Sequence, residues 1–164
     1  MRVYLAQPDE TEWQTLIFEG NVDNRLSEQI PEILDFMQDH TIFDLDKVKS
    51  IDHAGIEVWC ELMQSIDPDI SLCLVNCPSH FIDKANLIPQ LIGKACVLSI
   101  YIPVKCSECK KQFEFLYENK DLVSTYEEKE VQEFIDQKKC SSCNSPNLKT
   151  LIDLKLLVGA VNNQ

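Results

Sequence analysis

Apolar positions along this chain switch between a period of two and a period near 3.6, and the switches divide it into strands and helices. Residues 1–5 alternate weakly and predict an edge strand ahead of a turn at Gln7-Pro8-Asp9. Residues 13–19 (WQTLIFE) predict a strand ended by Gly20-Asn21. Leu26, Ile30, Ile33, Leu34 and Met37 share one helical face, with Asp23 or Asn24 as its N-cap. Pro31 interrupts that face; proline belongs in a first turn, so the helix begins later, near Gln29, or is kinked. Residues 41–45 (TIFDL) predict a buried strand, and residues 47–51 an irregular crossing to a second helix that opens at Asp52-His53-Ala54-Gly55. Its apolar stripe is Ile56, Trp59, Cys60, Met63 and Ile66; Glu57 and Glu61 point outward, and Asp67-Pro68-Asp69 stops it. Residues 70–75 (ISLCLV) predict another strand. Phe81, Ile82, Ala85, Ile88, Leu91 and Ile92 predict a third helix closed by Gly93. Residues 94–104 (KACVLSIYIPV) read as one apolar strand leading into a cysteine pair.

This alternation predicts an α/β domain over residues 1–104, a mixed sheet with covering helices. Residues 105–164 predict a smaller module with an inserted helix. Residues 112–117 (QFEFLY) alternate as a strand, and residues 126–139 suit a short exposed helix through Val131, Phe134 and Ile135. Residues 148–158 alternate again, from Leu148 to Val158. With Cys106-x-x-Cys109 and Cys140-x-x-Cys143 as turns between these elements, strand, knuckle, knuckle, strand is the layout of a zinc ribbon. So few apolar residues do not hold such a module together alone, whereas bound zinc contributes roughly 10–16 kcal/mol in small metal domains.

The chemistry lies in Cys106-Ser107-Glu108-Cys109 and Cys140-Ser141-Ser142-Cys143. Thiols spaced C-x-x-C chelate one ion from a single tight turn, and two such turns supply four soft ligands for a tetrahedral structural zinc. Lys105, Lys110, Lys111, Lys138 and Lys139 flank the pairs and favour the thiolate form. Asn144-Ser145-Pro146-Asn147 suits the chain reversal of a metal knuckle. A disulfide or a redox C-x-x-C is the alternative. With Cys106, Cys109, Cys140 and Cys143 all bound to one Zn2+, no coordination position is left for catalysis, so the expected zinc is structural.

Cys60, Cys73, Cys77 and Cys96 lie in apolar stretches and read as small core residues of a chain in a reducing compartment. No cationic leader with an apolar stretch opens the sequence, and no 18-residue apolar run occurs, so the expected location is cytoplasmic. The 164 residues carry a net charge of −12. Residues 1–99 hold 6 basic and 17 acidic side chains, residues 100–164 hold 9 and 10. An acidic body repels phosphate backbones, which argues against nucleic acid as partner despite the ribbon. The chain shows no glycine-rich phosphate loop, nucleophile elbow or HExxH, so no enzyme is expected.

Two stretches carry a family resemblance. Gly20-Asn21-Val22-Asp23 resembles the G-x-L-D turn of the STAS domain, the fold of bacterial anti-sigma factor antagonists. Ile42-Phe43-Asp44-Leu45, Val48 and Ile51-Asp52-His53-Ala54-Gly55-Ile56 resemble that family's strand, crossing and I-D-S-[SA]-G-[LI] helix start. The resemblance spans residues 12 to about 104 and implies a non-catalytic protein-binding module. In that family a kinase phosphorylates the serine after the aspartate; here His53 stands in its place and Ala54 offers no hydroxyl, so the switch does not carry over. The implied contact surface comprises Asp23, Asp52, His53, Ala54 and Gly55, with Glu57 and Glu61 on the outer face of the second helix. The implied partner is an anti-sigma, kinase-like protein. Two alternatives stand beside it: a STAS subunit supporting an ABC lipid-transport ATPase, and a zinc-ribbon nucleic-acid binder using the five lysines.

Overall fold

Leu16, Phe18 and Val22 alternate with more exposed neighbours and put one apolar face on strand β2, Gln14–Val22. The computed structural model describes residues 1–7, 12–119 and 126–153, and the Gln7-Pro8-Asp9 turn lies partly outside them. Strand β1 (Arg2–Leu5) is the expected edge strand, antiparallel to β2. Strand β2 does not stop at Gly20-Asn21; Gly20 adopts φ +108° and pairing continues to Val22. The helical stripe at residues 26–37 divides in two. A 3-10 helix, Asn24–Gln29, is capped by Asp23, and helix α1 follows at Ile30–Phe36 with Pro31 in its first turn, where a missing amide costs nothing.

Strand β3 (His40–Ile51) runs unbroken through the residues expected to form an irregular crossing. It pairs in parallel with β2 as far as Val22–Ile51, with register shifts at Ile17/Glu19 and Gly20/Asn21. Helix α2 (His53–Ser65) follows at once. Its deepest residues are Gly55, Trp59 and Leu62, flanked by half-buried Ile56, Cys60, Met63 and Ile66, so the buried line includes a leucine missing from the expected stripe. Glu57 and Glu61 are exposed, as expected. Strand β4 (Ser71–Val75) pairs with β3, and helix α3 (Ser79–Ala85) is separated from a 3-10 turn at Pro89–Leu91 rather than continuing through it. Trp59 packs edge-on to Phe18, Phe43 and Phe81 and donates its indole N–H to the Leu91 carbonyl at 2.8 Å, tying helix, sheet and turn together.

The apolar run of residues 94–104 serves two sheets. Cys96–Val97 forms the short strand β5 beside β4, completing a five-stranded sheet of order β1-β2-β3-β4-β5. Strand β6 (Ser99–Cys106) belongs to a second, antiparallel sheet of order β7-β6-β8, with β7 at Gln112–Glu118 and β8 at Leu148–Thr150. The expected strand at residues 148–158 is thus described only in its first part, and residues 154–158 lie outside the described residues. Helix α4 (Glu128–Asp136) covers the second sheet: Val131 and Ile135 are buried, and Phe134 meets Tyr117 edge-on at 5.0 Å. It is a packed helix, not the exposed one expected. The boundary expected after residue 104 falls inside β6, and Ile100, Ile102, Val104, Val131 and Ile135 share one continuous core with Phe18, Phe43 and Trp59.

Candidate metal centre

Two turns of matching construction hold the four cysteines. After β6, the Cys106 amide donates to the Lys111 carbonyl at 2.9 Å, and the Lys110 amide returns to the Cys106 carbonyl at 3.1 Å. In the second turn the Cys140 amide donates to Ser145 at 2.9 Å and the Asn144 amide to Cys140 at 2.9 Å. Lys110 and Asn144 occupy equivalent places and both adopt left-handed backbone, φ +63° and +59°. Asparagine enters that region readily; lysine does so at a cost. The turns are cross-linked, since the Ser107 amide donates to the Asn147 carbonyl at 2.8 Å and the Asn147 side-chain amide to Glu108 at 2.9 Å.

This construction brings all four sulfur atoms within 4.8 Å of one another, an arrangement that can hold a metal ion. Cys106 Sγ lies 3.6 Å from Cys143 Sγ, and Cys109 Sγ lies 3.5 Å from Cys140 Sγ. A disulfide needs about 2.05 Å, so these are contacts and not bonds. Four thiolates about 2.3 Å from a tetrahedral ion sit about 3.8 Å apart, close to the spacing here. Cys106 and Cys140 are buried, Cys109 is half-buried and Cys143 is exposed. The amides of Cys109 and Glu108 hold the Cys106 thiol below its ordinary value. At Cys140 burial opposes ionisation, but the amides of Ser142 and Cys143 and the neighbouring sulfurs overcome it and bring the thiol to about 6. Cys143 is pushed up to about 12: the Ser145 amide favours its thiolate, and burial with the crowding sulfurs of Cys140, Cys106 and Cys109 outweighs it. A cation at the centre removes that repulsion.

The residues implied by the family resemblance belong to the turn after β2 and to helix α2, most of them around its start. Asp52 caps this helix, its carboxylate accepting from the Gly55 amide at 2.7 Å, while its own amide donates to the Val22 carbonyl at 3.2 Å. Gly55 is buried against that same carbonyl; a Cβ on it would lie 2.1 Å from Val22 O and 3.0 Å from Asp23 N. The turn at residues 20–23 and the helix start at residues 52–55 are therefore in direct contact. Asp23 caps the preceding 3-10 helix and accepts from the Arg25 side chain at 2.5–3.1 Å, which holds its carboxyl at about 2. Its charge is matched by Arg25, a partner visible in sequence only as a basic residue two positions on. His53 projects into solvent, 92% exposed, with Nε2 3.6 Å from Glu57 Oε1. Ala54 is half-buried, and Asp52, Glu57 and Glu61 are exposed.

Among the basic residues near the cysteines, Lys138 lies 4.2 Å from the Phe134 ring centre and 5.8 Å from that of Phe115, and Lys110 donates to the Ser107 carbonyl at 2.6 Å. Both ammonium groups are drawn back onto the protein. Among the described residues no helix is long and apolar enough to cross a membrane. No family model matches the chain, and no curated protein is significantly similar to it.

Proposed function

We propose that this chain is a non-catalytic, cytoplasmic protein-interaction module of the STAS, anti-sigma-factor-antagonist type, with one structural Zn2+ on Cys106, Cys109, Cys140 and Cys143. The observation that carries the first part is the contact between two motif stretches distant in sequence. Val22 receives the Asp52 amide and abuts Gly55, so the G-x-x-D turn and the D-x-x-G helix start form one surface. His53, 92% exposed, stands on it where the family's serine would be, and the reading is accordingly of a docking surface without that phosphate switch. Zinc is the reading for the ion because four sulfur ligands in two cross-linked knuckles favour a soft, tetrahedral, closed site.

Affinity capture from the native cell, read by mass spectrometry, tests the module. Capture of an anti-sigma, kinase-like protein that fails with Glu57→Lys/Glu61→Lys supports it, since neither side chain is part of the core. Capture of an ABC ATPase selects the lipid-transport alternative. Retention on nucleic acid, lost on reversal of Lys138 and Lys139, would overturn the reading. Metal analysis of protein purified without chelator is expected to give about one zinc per chain, lost in Cys106→Ser and Cys140→Ser.

A further inference from the structure

Strand β4 carries a second pair of thiols with β5. Cys73 and Cys96 are register partners on these parallel strands. Leu72, Leu74 and Val97 face the helices, so alternation turns both cysteines to the opposite face of the sheet, beside Ile42 of β3. As register partners on adjacent strands, the two side chains lie side by side on that face. Neither is in a disulfide; Cys73 is 5% exposed and Cys96 half-buried, so a small solute reaches Cys96 first. Neighbouring strands lie about 4.8 Å apart, within the 4.4–6.8 Å range of Cα separations that a disulfide spans. Cys60 is held in α2 within the helical layer, and Cys77 is fully buried beyond the end of β4, where it bridges to Ile100 of β6 and is not a register partner of Cys96.

We infer that Cys73 and Cys96 are a peroxide-oxidisable pair that closes to a reversible disulfide across β4 and β5. Sulfur of Cys96 attacks one peroxide oxygen, the O–O bond breaks, and Cys96 becomes a sulfenic acid with release of one water. Cys73 sulfur then attacks Cys96 sulfur, the S–O bond breaks, and the Cys73 proton leaves with the hydroxide as a second water. The two thiols lose two electrons and hydrogen peroxide gains them. Burial and the adjacent Cys96 thiol push Cys73 up to about 12, which suits the resolving partner better than the first nucleophile. The four cysteines of the knuckles are a separate set, held at the end of β6 and in the α4–β8 connection.

The full chain as purified, treated with hydrogen peroxide, alkylated and digested with trypsin without reductant, provides the test. The expected product is peptide 50–84 linked to peptide 95–105, lighter than the sum of the two by two hydrogen atoms and separated again by dithiothreitol. The link should survive Cys60→Ser and vanish in Cys96→Ser. In Cys73→Ala, Cys96 should instead remain as a sulfenic acid trapped by dimedone, a result that does not depend on the Cys96 variant folding. Recovery of both peptides fully alkylated, or linkage of Cys96 to Cys60 or Cys77, would overturn the inference.

Discussion

A methyl group at residue 55 would lie 2.1 Å from the Val22 carbonyl oxygen and 2.6 Å from its carbon. The obstacle is backbone, which cannot swing aside, so Gly55→Ala is expected to cost about 3 kcal/mol, at the high end for overpacking. His53→Ser, two residues earlier and in solvent, should change stability by no more than about 0.5 kcal/mol. Urea unfolding of the two variants checks the contrast; equal midpoints would show that the helix can retreat from β2. The opening of α2 at Asp52 was legible in sequence because a cap acts on its own helix. The reason for Gly55 was not, because the group it touches belongs to a strand much earlier in the chain. Asp23 offers a test by pH. Its carboxyl is held at about 2 against an ordinary 3.8, chiefly by the Arg25 side chain. A lowered folded value means that its contribution to stability is present above pH 3.8 and is lost as pH falls toward 2. Carboxyl NMR should place the Asp23 midpoint near 2 and show it returning toward 3.8 in Arg25→Ala.

At the scale of elements, local pattern was a good guide where one strand or helix buries one face, and failed where the partner sets the phase. Leu45, Val48 and Ile51 are buried at intervals of three, which reads as irregular, yet all belong to β3. The extra residues of β3 are absorbed as bulges against β2 at Ile17/Glu19 and Gly20/Asn21, and a bulge displaces the alternation without ending the strand. The change from β5 to β6 is silent for a different reason, since apolar residues continue through Leu98 while the pairing partner changes. Helix α4 looked exposed because its charged residues outnumber Val131 and Ile135, two positions that suffice to seat it on the second sheet. The cysteine spacing, by contrast, was legible because a C-x-x-C pair is set by its own turn. Those turns predict a graded response. Lys110 and Asn144 sit at φ +63° and +59°, so Lys110→Gly should keep the metal and add up to about 1 kcal/mol of stability. Lys110→Val, which resists positive φ, should weaken retention in a chelator competition. Valine performing as well as glycine would show that the knuckle tolerates another backbone.

For the whole molecule, the joint between the sheets matters more than either sheet. Tyr126 is buried, and its hydroxyl donates to the Val97 carbonyl at 3.0 Å, carrying the segment before α4 onto β5 of the other sheet. Tyr126→Phe should cost about 1–2 kcal/mol in a single unfolding transition; two separated transitions would contradict the continuous core. Strand β6 joins the sheets along its own length. Near its start the Tyr101 amide donates to the Cys77 carbonyl, while at its far end Cys106 is one of the clustered thiols. The amides of this one strand therefore answer to different openings of the molecule. After chelation, deuterium should enter first around Cys106 and its knuckle, while amides near Ile100 and Ile102 exchange only with the global opening. The length of strand that stays protected would measure how far the proposed ion's hold reaches along β6 beyond its ligand Cys106.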